Sequence, residues 1–225
     1  MCFNTESSIT VFFIGIICSI ALFHRSIKNN SKIDFFSSIL LILITSMQLI
    51  EYVLWQNQVC NDRNRIASYF IAILLFLQPI IYYILLHKLY SNKLTSRRKY
   101  INIFIVSIGA LIFSYYFINK IYPNKNLCSL ENKATGRIEW APLKIISHSI
   151  FWFLILNILY FGIPCLIRID EDIHFIRKNF LLITISIAII YSIYKTGKNF
   201  YSVFGSLWCF LAVFYGIVCL IFPAK

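Results

Sequence analysis

Seven apolar runs, at 8–23, 35–55, 67–89, 100–121, 145–167, 180–194 and 201–222, are separated by short connections that hold nearly all of the charge. A hydrocarbon core about 30 Å thick is crossed by roughly 20 residues of helix. Inside it every backbone amide must find its partner within the protein, which favours helices. The pattern predicts an all-α polytopic integral membrane protein, a seven-transmembrane-helix bundle forming a single transmembrane domain over 1–225. The runs at 8–23 and 180–194 are short and need tilting, or snorkelling of flanking Lys and Arg, to span. Six spans is the alternative count. The chain is 59% hydrophobic and 13% charged, too little charge to cover a water-soluble surface.

The first run contains Ser19-Ile20-Ala21, a small-x-small pattern that a cleaved signal peptide would also carry. The residues before it include Glu6 but no Lys or Arg, so the positive n-region of a signal peptide is missing and an uncleaved span is preferred.

A net charge of +12 would suggest nucleic acid in a soluble protein. Here the cations lie between apolar runs, and membrane topology accounts for them without a nucleic-acid partner. The first, third and fifth connections carry Arg25, Lys28 and Lys32, then Lys88, Lys93, Arg97, Arg98 and Lys99, then Arg168, Arg177 and Lys178. That side is predicted to be cytoplasmic, with the N-terminus outside and the C-terminus inside. The cluster at 93–99 is read as positive-inside anchoring, with anionic lipid headgroups as the alternative partner.

The seven cysteines show no C-x-x-C pair, so neither a metal centre nor a cofactor is expected. Cys60 and Cys128 fall in the second and fourth connections, on the same predicted outer side, where an oxidising compartment would let them pair. Two unrelated thiols, or pairing with Cys2, are the alternatives.

Of the nine acids only Glu51 falls inside an apolar run. An ionisable group in a span is costly unless it faces protein or water and finds a partner, so it is a functional-site candidate; an inert, hydrated interfacial glutamate is the bland alternative. Gln48, Glu51 and Trp55 are spaced i, i+3, i+7, on one helical face that is expected to point inward. At similar depth lie Asn64 and Ser68 of the third run, His148 of the fifth, and Ser206 and Trp208 of the last. Together these residues predict an outward-opening polar pocket flanked by Trp55 and Trp208. Ordinary interhelical hydrogen bonding is the competing explanation for each.

Gly205, Cys209, Ala212 and Gly216 form a small-residue stripe suited to close helix packing. Gln78-Pro79 predicts a break in the ladder of the third helix that Gln78 helps to satisfy. His24, His87, Asp170, Asp172 and His174 lie near predicted cytoplasmic ends and suit a metal-dependent hydrolase in residue type, but no metal-binding spacing accompanies them. The balance is against an enzyme. A retinal protein is excluded because the last run holds no lysine, and the D-R-Y and N-P-x-x-Y signatures of rhodopsin-like receptors are missing.

The run 47–55, Gln78-Pro79 and Gly205-Ser206-Leu207-Trp208-Cys209 resemble a family of uncharacterised seven-span proteins encoded by large DNA viruses of protists. The resemblance implies a host-cell or virion membrane and no particular activity. The leading functional expectation is a protein that binds or transports a small ligand, ion or lipid at Glu51. A structural or interaction protein of a membrane is the second reading and an intramembrane hydrolase the third. Membrane lipids are its expected surroundings.

Overall fold

The computed structural model describes residues 4–90, 96–133, 135–146, 175–197 and 200–223. In chain order these form α1 (Thr5–Lys28), α2 (Lys32–Gln56), α3 (Asp62–Tyr90) and α4 (Ser96–Tyr116), which runs into a π-helical turn at Phe117–Ile121. A short antiparallel pair follows, β1 (Leu130–Asn132) and β2 (Arg137–Glu139), and then α5 (Ala141–Ile146), α6 (Phe175–Thr196), α7 (Phe200–Val213) and α8 (Tyr215–Ile221).

Among the described residues, five helical segments are long and apolar enough to cross a membrane: Thr5–Lys28, Lys32–Gln56, Asp62–Leu89, Lys99–Ile121 and Phe204–Ile221. Ile183–Thr196 is a shorter apolar helix, and the run at 145–167 lies outside the described residues beyond its first two positions, as does His148. Exposed side chains fall in helical stripes: Phe13, Ile17 and Ile20 on α1, and Ile183, Ile187 and Ile190 on α6. Such stripes suit hydrocarbon, where an apolar exterior carries no penalty.

Small residues decide the tightest packing. α1 turns Ser8, Val11, Gly15, Cys18, Ser19, Leu22 and Ser26 inward, and Ser19 donates to the Ser38 carbonyl of α2 at 2.9 Å. Gly15 lies directly against the side chains of Thr45 and Val213, and a Cβ at Gly216 would meet Cys18 Cβ at 2.7 Å. The α1–α2 connection is a two-residue turn with Asn30 at φ 50°, after which Ser31 caps α2 by accepting from the Asp34 amide at 3.3 Å. α2 and the α7–α8 segment form the buried centre, while α4 is peripheral.

The structure adds detail at three places. The fourth connection folds into the β1–β2 hairpin, with Gly136 at φ +62° in its turn. The last run holds α7 and α8, which adjoin at Phe214 and together make one membrane-spanning length, Phe204–Ile221. α3 continues through Pro79, and Gln78 donates across to the Leu43 carbonyl of α2 at 3.4 Å instead of serving its own helix.

Alternating helices give the bundle two ends. The hairpin end holds the C-terminus of α2, the N-terminus of α3, the π-helical turn, the β-hairpin and α5. The other, the Asp34 end, holds the α1–α2 turn, the C-termini of α3 and α8, and the start of α6.

Candidate functional site

The hairpin is tied down before it reaches the centre. Cys60 and Cys128 form a disulfide, with Cα atoms 5.4 Å apart at a sequence separation of 68. Next to it, buried Ser129 is held on almost every polar atom. Its amide donates to Asn64 Oδ1 at 2.9 Å and to Ser68 Oγ at 3.0 Å, and its carbonyl accepts from Asn64 Nδ2 at 2.9 Å. Its hydroxyl accepts from Ser68 at 2.8 Å and from the Ala141 amide at 3.1 Å. Asn64 and Ser68 are thus occupied in anchoring the connection, not in lining a common pocket with Glu51.

Eleven residues after Ser129, the anchored connection delivers Trp140, which is fully buried and donates from its indole Nε1 to Glu51 Oε1 at 3.0 Å. Gln48 lies one turn before Glu51 on α2 and donates from Nε2 to the other carboxyl oxygen at 3.2 Å. The hydroxyl of Ser206 faces the same carboxyl, and Cys209 and the guanidinium of Arg137 lie within electrostatic reach. Glu51 is only 1% exposed and Gln48 is 0% exposed, so the centre is closed to solvent. Gln48 Oε1 is buried with no hydrogen-bond partner among the described residues. Buried Arg137 lies over the Tyr191 ring at 5.4 Å from its centroid.

Among the described residues, Gln48 and Ser206 meet at Glu51, while the two tryptophans expected to flank the pocket do not reach the carboxyl. Trp55 is half-buried and Trp208 is buried, both in the main core, while the indole over the carboxyl is that of Trp140. Trp140 comes from a connection that hydropathy reads as polar, and its partner lies 89 residues earlier. Its one local signal is that it directly precedes Ala-Pro at the start of a helix.

Gly205 leaves the space that Trp140 occupies. A Cβ there would lie 2.6 Å from Trp140 Cε3 and Cζ3 and 2.8 Å from Leu143 Cδ1. The indole is fixed by its bond to Glu51 and cannot swing clear. Gly205→Ala is expected to destabilise the protein by about 1–3 kcal/mol, the usual range for overpacking. Thermal unfolding in mild detergent, followed by tryptophan fluorescence, measures the loss; an unchanged midpoint would mean that the indole does not pack on α7.

A second polar centre sits at the opposite end around Asp34, a residue that the sequence places in a connection just before an apolar run. Arg25 donates from Nε to Asp34 Oδ2 at 2.7 Å and from Nη2 to Oδ1 at 2.9 Å. The same guanidinium reaches the carbonyls of Cys219 at 2.6 Å and Leu220 at 3.1 Å. Arg177 Nη2 donates to Asp34 Oδ1 at 2.7 Å and to Ser37 Oγ at 3.1 Å, and Ser37 shares a 3.1 Å hydrogen bond with Tyr215. Arg177 is 1% exposed and Asp34 2%. One carboxylate thus joins α1, α2, α6 and α8, so Arg25 and Arg177 are internal ion-pair partners as well as flanking charges.

Among the described residues, no group of three or more His, Cys, Asp or Glu side chains is placed to hold a metal ion. Asp170, Asp172 and His174 lie outside the described residues. Compared with known protein families, curated proteins and solved structures, the chain matches none.

Proposed function

We propose that this is a seven-span membrane protein whose centre at Gln48, Glu51 and Ser206 binds a small ligand presenting hydrogen-bond donors, an amine or ammonium group being the simplest. The observation that carries this reading is a carboxyl 1% exposed and met by an indole, an amide and a hydroxyl, with the acceptor oxygen of Gln48 beside it left without a partner among the described residues. A buried acceptor without a donor costs about 1–3 kcal/mol, and a bound donor removes that cost. Because Arg137 already lies near Glu51, the ligand need not carry a full charge. Trp140 is the covering side chain, and entry or passage of the ligand requires it to move with the hairpin.

Two separate features support an orientation with the hairpin end outside. The disulfide belongs to an oxidising compartment. The short connections at the Asp34 end carry Arg25, Lys28, Lys32, Lys88, Arg97 and Lys99, as the positive-inside rule requires of a cytoplasmic face. Placement in a host-cell or virion membrane rests on the resemblance of 47–55, Gln78-Pro79 and 205–209 to the viral seven-span family.

A purely structural or interaction protein is the second reading, favoured by the Trp140–Glu51 bond, which by itself pins the hairpin to the bundle. Melting curves in mild detergent separate the two. With ammonium or methylammonium chloride at fixed ionic strength, the ligand-binding reading expects the wild-type midpoint to rise. A ligand at 100 times its Kd adds about 2.7 kcal/mol. Glu51→Gln should show no rise. If neither protein responds and the variant only melts earlier, the structural reading holds instead.

A further inference from the structure

Away from both polar centres, the last two turns of α3 and the first turns of α4 enclose a groove of about 520 Å³. Its polar residues are Tyr83, His87 and Lys88 from α3 with Asn102 and Ser107 from α4. Tyr83 is 4% exposed and Asn102 3%, yet the Tyr83 hydroxyl, His87 Nε2 and Asn102 Nδ2 are buried without a hydrogen-bond partner among the described residues. A buried polar group left alone is destabilising, and three along one groove are explained together by a ligand that satisfies them.

The chemistry of the wall selects the ligand. An amide NH2 and an ammonium group can only donate, a phenol donates readily, and an imidazole nitrogen does so in one of its tautomers. The complement is a group with several acceptor oxygens and negative charge. Beside this wall Ile84 and Ile103, which also line the groove, are largely exposed on the outer face of the bundle, at 58% and 55%. A largely apolar groove with a few donors set in its wall, continuous with an apolar exterior flank, fits an amphiphile and not a free anion.

We propose that the α3–α4 groove binds an anionic membrane phospholipid, its phosphate received by Tyr83, His87, Lys88 and Asn102 and an acyl chain lying along Ile84 and Ile103. The site shares no residue with the Glu51 centre and stands or falls independently of it.

The test uses the full chain, delipidated in mild detergent and titrated with phosphatidylglycerol, phosphatidylcholine or inorganic phosphate, with bound species counted by native mass spectrometry. Wild type is expected to retain phosphatidylglycerol, and Lys88→Ala or the double variant Tyr83→Phe/Asn102→Leu to retain it about tenfold less, the loss of roughly 1.4 kcal/mol. Lys88 is exposed, so its replacement reads binding without threatening the fold. Equal retention by wild type and both variants would overturn the proposal. So would phosphatidylcholine binding as well as phosphatidylglycerol, or millimolar inorganic phosphate displacing the lipid, because a free phosphate would then be the occupant.

Discussion

Asp34→Ala is expected to be the most damaging single substitution in the described part of the chain, lowering stability by about 3–5 kcal/mol, as removal of one partner of a buried ion pair does. The carboxylate faces two guanidinium groups at 2.7 Å, and without it Arg25 and Arg177 confront each other with no counterion. Arg25 retains the carbonyls of Cys219 and Leu220, but Arg177, 1% exposed, keeps only Ser37 and a weak 3.5 Å contact to the Ile33 carbonyl among the described residues. Removing the second charge as well, in Asp34→Leu/Arg177→Met, is expected to recover much of the loss, because a well-packed apolar pair can replace a buried ionic one. Chemical unfolding of the three proteins in the same detergent measures this. A single variant within about 0.5 kcal/mol of wild type, the range of an unremarkable surface change, would contradict the role given to Asp34.

Breaking the Cys60–Cys128 bridge is the second large effect. Loss of a native disulfide typically costs about 2–5 kcal/mol, and more for longer closed loops. The loop here spans 68 residues, which argues for the upper part of that range. It also contains α3 and α4, whose insertion in a bilayer already restricts the unfolded chain, so the lower part is expected, about 2–3 kcal/mol. The wild-type melting temperature should fall when a reductant is added, and Cys60→Ser/Cys128→Ser should melt at the reduced value with or without it. A reductant-insensitive wild type would mean that the Ser129 hydrogen bonds hold the connection unaided.

The described spans were legible because hydropathy is a strong signal over 20 or more residues: the run at 35–55 is the apolar body of α2 (Lys32–Gln56), and 67–89 that of α3 (Asp62–Tyr90). The Gly205–Gly216 stripe was legible as packing for the same reason, since small residues at helical spacing let a neighbouring backbone or ring approach. What sequence alone hid were long-range pairings. Asp34 looks like a connection residue just before an apolar run, and nothing near it announces an arginine 143 residues later. Asn64 and Ser68 were visible as a polar stripe on α3, but spacing gives a face and not a partner, and the partner is the Ser129 backbone. The β-hairpin did carry a mark, Thr135-Gly136, with glycine at the positive φ that such a turn needs.

The claim that Glu51 lies at the heart of a ligand site is tested most directly by native mass spectrometry of the protein as purified in mild detergent. The measurement compares wild type with Glu51→Gln for retained small molecules. The proposed site predicts a donor-bearing species that stays with wild type and is lost from the variant. Identical spectra from two proteins of equal thermal stability would contradict it and leave Glu51 and Trp140 as a structural clasp.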